Sequence, residues 1–571
     1  MTEAERYKIT SNNFADIIIS NDSVLNLPEG IPNSTKNVIN QQFAIYHIPL
    51  EYMTLDSIYK FGYYSVPTCL GLLSDLVNHP YQYSRLPEIF SENLKGNGVI
   101  IGFIDTGIDY LNKSFLNQDN TSRILSIWDQ SIDSDTYPPN FFYGTAYNQE
   151  QINQALQSSN PLSIVPSKDE IGHGTLLAGI AAGTPQSEYA FRGVAPEADL
   201  AIVKLKPAKP YLKEFYAIPP DAVCFQENDI MMGVQYLDDL ANTLNKPLVI
   251  CLGIGTNQSD HTGTRPLTRL LARISDYYGR SVIVAAGNEG NRGAHYYGDI
   301  KPPAHYDNVS LHVSEAETGF TLQFWGTSPN RFWIDLFAPD GSFLARVPPS
   351  PLNSIIIDYQ NTIIIADSQL KEPFTTEQLI VLRFQNPLPG QWQLIVYGAT
   401  GDLPMQFHFW LPIHNFVNSE TIFLKPNNYT TITAPGNSPS MITVTAYDTV
   451  TTTLYYYASR GNTVTNYPKP DISAPGVNIT GPFLNNQMIR TSGTSLASAY
   501  TAGISAMLME WGVVKGNLSD MNNLLIRKIL TQSAKRKPDL NYPNPDWGYG
   551  TIDINRINRA LSDILIVPGL R

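Results

Sequence analysis

Cysteine is scarce in this chain, which has only Cys69, Cys224 and Cys251 among 571 residues. Their number is odd and their spacing fits neither a metal site nor a redox pair, so a disulfide framework is excluded as the source of stability. Basic residues are also few, 38 against 51 acidic ones, which leaves a net charge of −13. That balance argues against nucleic acid or an anionic membrane as a main partner. No segment reaches the roughly 18 to 20 consecutive apolar residues that a membrane-spanning helix needs. The opening MTEAERYKIT has no apolar run after a basic start, so no secretory signal is visible and the cytoplasm is the expected location. Acidic residues nowhere show the loop spacing of a calcium site, and no cofactor or metal is expected. With 43% apolar and 16% charged residues, the composition is that of a folded, globular chain.

What is present is a set of small-residue motifs placed at the ends of apolar runs. Arg490 to Met509 reads RTSGTSLASAYTAGISAMLM, a turn of small residues that runs into an apolar helix with Ser495 at the junction. A serine hydroxyl is a weak nucleophile until a base takes its proton and donors receive the charge on the attacked carbonyl. A helix start has free backbone N–H groups that can serve as those donors. A serine-rich helix cap would account for this stretch taken alone. Histidine order separates the catalytic readings: the last of nine histidines is His414, so none follows Ser495. An α/β-hydrolase needs its histidine after the serine, and a chymotrypsin-like order lacks a persuasive second acid here. The order Asp, His, Ser remains, and two segments fit it.

The first is GNGVIIGFIDTGID, an apolar run of the kind that forms a buried parallel strand, with Asp105 at its carboxyl end. Asp109 lies inside the following turn and is assigned a structural role. The second is IGHGTLLAGIAAG, which has helix spacing and almost no large side chains. His173 stands between two glycines at its mouth, a position that core packing explains poorly. Further on, apolar strands at 200–205, 248–254 and 281–286 alternate with amphipathic helices near 228–244 and 266–278. This alternation predicts a parallel sheet with helices on both faces. After the third strand, Gly287-Asn288-Glu289-Gly290 places an amide at a strand end, where it is either an oxyanion donor or a turn residue.

Residues 306–436 have another texture, short period-2 segments such as RFWIDLFA and QWQLIVYG separated by turn signals. An all-β insert of jelly-roll type is expected there, with most of its aromatics in the core. The first 95 residues carry mixed strand and helix signals, including FAIYHIPL at 43–50 and an apolar LGLL within 66–77, and form either an accessory domain or a prosegment.

Taken together, IDTGID, GHGTLLAGIAAG, VAAGNEG, APG at 474–476 and SGTSLASAYTAG resemble the subtilisin-like serine proteases, over about 96–305 and 437–560. The resemblance implies an α/β catalytic domain at 96–305 and 437–571, interrupted by the β insert at 306–436 and preceded by a small α+β prodomain at 1–95. By the same resemblance Ser495 is the nucleophile, His173 the general base and then acid, Asp105 its orienting partner and Asn288 the oxyanion donor. A protein or peptide substrate would pair with the edge at Leu252, Gly253, Ile254 and Gly255. Cys251-Leu252-Gly253 and Ala285-Ala286-Gly287 would wall the pocket for the residue before the cut. Leu496 and Ala499-Tyr500 depart from the methionine and proline-histidine usual in the family.

The serine-carboxyl peptidases share the SGTS element but use an acid as base. Within the subtilisin-like group, the insert and the missing signal look like the clostridial spore-germination proteases and related peptidases of gut Firmicutes. That implies a prodomain able to stay bound after self-cleavage, near residue 95, and a spore-associated location. Two other readings stand beside it: a non-catalytic regulator on the same scaffold, against which the complete triad argues, and an esterase or lipase, disfavoured by histidine order.

Overall fold

Strands that are apolar on both sides can stay buried only if helices cover both faces of their sheet. The computed structural model, which describes residues 1–21, 30–74, 94–301, 303–399 and 405–566, has this arrangement. Its central sheet has eight strands in the order Ile472–Pro475, Ile442–Tyr447, Arg280–Ala285, Leu248–Leu252, Ile100–Asp105, Asp199–Lys204, Ile124–Asp129 and Thr145–Asn148. Neighbours are parallel apart from the last pair. Alternation along each strand sorts its side chains between two cores. Ile101 and Phe103 enter one core with the helices His173–Ala182 and Thr494–Met509. Ile100 and Ile104 enter the other with the helices Glu227–Leu244 and Pro266–Ser275.

The small residues of the two site helices serve close approach. A Cβ on Gly503 would lie 2.7 Å from the Ala181 carbonyl oxygen, so the helix that carries Ser495 and the one that carries His173 meet nearly backbone to backbone. All residues of both helices are buried.

The insert folds as two antiparallel sheets. One runs His295–Ile300, Met405–Trp410, Gly319–Gly326, Gln378–Gln385, Thr362–Gln369, Asn353–Tyr359; the other runs Phe343–Val347, Phe332–Phe337, Gly390–Gly398, Tyr306–Val313, Ile422–Phe423. Phe320, Phe324, Phe384, Trp392 and Phe407 fill the core between them. The expected start of the insert at 306 needs correction. The strand His295–Ile300 pairs with Met405–Trp410 and belongs to the first sheet. Its sequence, HYYGDI, has too weak an alternation to announce a strand by itself.

The N-terminal region has a three-stranded antiparallel sheet, Phe14–Ser20, Phe43–Pro49 and Thr35–Val38, with short helices at Glu3–Thr10 and Ser57–Phe61. A buried carboxylate joins it to the rest of the chain. Asp16 Oδ1 lies 2.6 Å from His47 Nδ1 and accepts from Lys209 Nζ at 2.9 Å, and its Oδ2 accepts from Gln226 Nε2 at 2.6 Å. Further along, Arg265 donates to Glu227 and to the Val66 carbonyl and packs against the Tyr63 ring. The expected prodomain boundary at 95 adjoins residues 75–93, which lie outside the described residues.

Candidate active site

Asp105 is the last residue of its strand, and its Oδ1 accepts from the Thr106 N–H at 2.8 Å while lying 2.7 Å from His173 Nδ1. His173 opens its helix between two glycines, and each has a steric reason. Gly172 has φ +91°, where side chains are strained, and a Cβ on Gly174 would come within 2.2 Å of the Gly107 carbonyl oxygen. The start of this helix is capped from outside by Asp169. Its Oδ1 accepts from the Ile171 and Gly172 N–H groups, and its Oδ2 accepts from the Thr175 N–H and hydroxyl. Sequence reasoning missed Asp169, although an aspartate just ahead of a helix is a capping signal. Asp109 is structural, its Oδ2 accepting from the Asn485 N–H at 2.8 Å.

Across the cleft, His173 Nε2 lies 3.2 Å from Ser495 Oγ. Ser495 is the second residue of its helix, so its N–H has no intrahelical partner; it donates instead to the Leu73 carbonyl oxygen at 3.3 Å. Asn288 is oriented by Thr494, whose N–H and hydroxyl both donate to Asn288 Oδ1, at 3.2 and 3.0 Å. The Asn288 Nδ2 group is buried and has no partner. Asp105, His173, Asn288 and Ser495 are all buried.

The chain's own strand Cys69–Leu72 leads into this site. It runs antiparallel between Ile254–Gly255 and Cys224–Gln226, with Leu72 opposite Ile254, Gly71 opposite Gly255 and Leu70 opposite Phe225. The Leu73 N–H donates to the Gly253 carbonyl at 3.0 Å. Leu73 Cδ1 would lie 2.9 Å from a Cβ on Gly255, beside Thr433 Oγ1 at 2.7 Å from the same point. The segment Leu70-Gly71-Leu72-Leu73, within the region expected to be either an accessory domain or a prosegment, is therefore laid beside Ser495.

Of the pocket residues expected from the sequence, Gly253, Ile254 and Gly255 contact this strand directly. Ala286 is bonded to Thr433 through its carbonyl, and Gly287 has φ +108° with Thr433 Cγ2 2.6 Å from where its Cβ would be; Ala285 is the buried last residue of the adjoining strand. The side chains of Cys251 and Leu252 lie on opposite faces of their strand. Strand alternation turns them into the two cores, Cys251 with its Sγ 3.8 Å from Ser498 Oγ and Leu252 on the opposite face. Burial pushes the Cys251 thiol up to about 12, as suits an inert core residue. Among the described residues no group of three or more His, Cys, Asp or Glu is placed to hold a metal, and no helix is long and apolar enough to cross a membrane.

Comparison with known proteins gives the family and the fold. The Subtilase family profile matches residues 96–378 and 393–551. The solved structure of the Clostridium perfringens CspB protease is similar at a TM-score of 0.75 and 30% identity, over 84% of this chain and 96% of that one. The C5a peptidase of Streptococcus pyogenes is 23% identical over 525 residues, 86% of this chain and 42% of the relative. The chain thus spans about two fifths of the length of that relative. Serine protease AprX of Bacillus subtilis is 37% identical over 100 residues, 14% of this chain and 23% of its own length. With the family profile over most of its length and the parallel sheet in place, the chain belongs to the subtilase family, on the fold of the subtilisin-like serine peptidases.

Proposed function

We propose that this chain is a serine endopeptidase that works through an acyl-enzyme, and that the first bond it cuts is its own, between Leu73 and Ser74. The observation that carries the proposal is the seat of the Leu73 carbonyl: its oxygen accepts from the Ser495 N–H, while Ser495 Oγ is within bonding reach of His173. In the reaction Ser495 Oγ bonds to the Leu73 carbonyl carbon and its proton passes to His173 Nε2. Asp105 holds the imidazole by Nδ1 and steadies its positive charge. The Ser495 N–H and Asn288 Nδ2 receive the negative charge on the carbonyl oxygen, a contribution of about 3 to 4 kcal/mol for one such donor. The Leu73–Ser74 C–N bond then breaks, and His173 returns the proton to the Ser74 nitrogen. Water, activated by the same imidazole, hydrolyses the ester and frees Ser495.

On this reading residues 1–73 are a prosegment whose last residues remain in the cleft as a bound product. The buried clamps at Asp16 and Arg265 favour retention after the cut. By the family resemblance the freed enzyme processes another protein by removing its propeptide in a spore-forming bacterium, with a cytoplasmic or spore-associated location. A second reading has one observation in its favour, the complete burial of Ser495: a regulator whose cleft stays occupied.

Intact mass and N-terminal sequencing of wild type beside Ser495→Ala test the proposal. A new terminus at Ser74 in wild type alone is expected, together with fluorophosphonate labelling of Ser495 once the retained segment has been removed from the cleft. An uncut wild type that also resists labelling would support the regulator instead.

A further inference from the structure

The strand in the cleft presents its side chains alternately. Leu70 and Leu72 enter the core that contains Phe225, Leu252 and Ile254. Gly71 and Leu73 face the other way, toward the last part of the insert, after its strand Met405–Trp410. At Gly71 there is no room: a Cβ would lie 2.7 Å from Ile413 Cδ1 and 3.0 Å from Phe416 Cζ. A methyl group there would have to displace the ends of these two side chains. Both are buried, in a cluster with Trp325, Trp410 and Tyr63. A turn closed by the Phe416 N–H on the Ile413 carbonyl at 2.8 Å fixes their backbone. From the same turn Asn415 Nδ2 donates to the Leu72 carbonyl at 3.2 Å, which holds the strand at this depth.

Space is equally limited at the ends of the Leu73–Ser74 bond. The Leu73 side chain is wholly buried beside Gly255 and Thr433. On the far side of the bond, a Cβ on Gly493 would lie 2.9 Å from both Ser74 Cα and Ser74 Cβ.

We infer that Ile413 and Phe416 make this cleft selective for glycine at the third residue before the cut, so that its substrates are extended segments of the form apolar-Gly-apolar-Leu followed by a small residue. The inference rests on the proposed peptidase reading and adds to it the class of sequence that is cut. The turn between the insert strands Met405–Trp410 and Ile422–Phe423 thereby acquires a role in selection. Ile413 and Phe416 are specificity residues that touch the substrate backbone, and neither takes part in the bond chemistry. A protein processed by the freed enzyme carries the same pattern at an exposed, extended site.

The test follows the Leu73–Ser74 cut over time, by intact mass, in freshly synthesised full-length chain. Gly71→Ala is expected to slow the cut roughly ten- to a hundredfold, the range for forcing one carbon into a packed site. Ile413→Val deletes the Cδ1 atom that meets the new methyl group, so the double variant Gly71→Ala/Ile413→Val is expected to regain most of the rate. Thermal unfolding of Gly71→Ala beside Ser495→Ala shows whether a slow variant is folded. A Gly71→Ala chain that cuts as fast as wild type overturns the inference while leaving the peptidase reading intact. A slow, folded Gly71→Ala chain that Ile413→Val does not rescue, alone or with Phe416→Leu, overturns the role of this turn. Absence of both cutting and fluorophosphonate labelling in wild type would instead defeat the peptidase reading.

Discussion

The backbone N–H of Ser495 donates to the carbonyl oxygen of Leu73 at 3.3 Å, so the candidate nucleophile and a peptide carbonyl of the same chain are already in register. Donors fixed before reaction need no reorganisation when charge develops, and that is the largest single term in many acyl transfers.

Removal of parts of this site should have graded effects. Ser495→Ala is expected to lower turnover on the order of a million-fold, because a triad acts as a unit. Asn288→Ala is expected to lose about a hundred- to a thousandfold, since the Ser495 N–H remains. Initial rates of the Leu73–Ser74 cut, normalised to folded protein, check the order.

Asp169 touches no reacting atom, yet it receives four donors at the start of the helix that carries His173. Asp169→Ala is expected to cost about 1 to 2 kcal/mol of stability through the lost cap. It should also lower kcat roughly ten- to a hundredfold through a displaced imidazole, with KM little changed. Asp169→Asn, which keeps an acceptor, should recover part of kcat. Equal kcat in wild type and Asp169→Ala would limit the residue to stability.

The N-terminal unit depends on one buried charge. Burial opposes ionisation of Asp16, but Lys209 and His47 hold its carboxyl well below the usual carboxylate range. Asp16→Ala would leave the Lys209 ammonium buried without its carboxylate, at a cost of about 3 to 5 kcal/mol. Limited proteolysis should then remove residues 1–73 from the variant at protease levels that spare Ser495→Ala.

Acid should destabilise the fold through three histidines behind the cleft. His261 stacks on Trp410 with ring centroids 3.7 Å apart, and His295 Nε2 lies 2.9 Å from His408 Nδ1. Burial pushes His261 down to about 4, His295 to about 3 and His408 well below the ordinary value. The folded state therefore keeps them neutral while the unfolded chain takes up protons near pH 6.5. Stability is fully present above that pH and falls as pH drops from 6.5 toward 4, by about 3 kcal/mol for a histidine displaced this far. Thermal midpoints measured from pH 7 to 4.5 should decline, and less steeply in His408→Gln. A midpoint that is flat across this range would rule out this effect of burial.

Much of the site was legible because its parts are constrained locally. Asp105 ends an apolar strand, His173 sits between glycines that have no room for a side chain, and Ser495 begins a helix of small residues. Each constraint restricts the residue types at fixed offsets, which is what makes a motif readable. Asp169 was legible too, as a helix cap, but capping signals are common and its link to the imidazole is a matter of packing. The directions of the Cys251 and Leu252 side chains were not legible, because a buried parallel strand is apolar on both faces and composition cannot say which core each side chain enters.

The amino-acid sequence by itself determined the layered α/β fold, the β insert and the order of the three site motifs, since hydrophobic period and glycine placement act over a few residues. Only the tertiary structure decided that Leu70-Gly71-Leu72-Leu73 lies in the cleft and that Ile413 and Phe416 close over Gly71. An LGLL segment reads the same in any buried strand. Which strand it joins depends on hydrogen bonds and contacts between stretches far apart in the chain, and those exist only once the chain has folded.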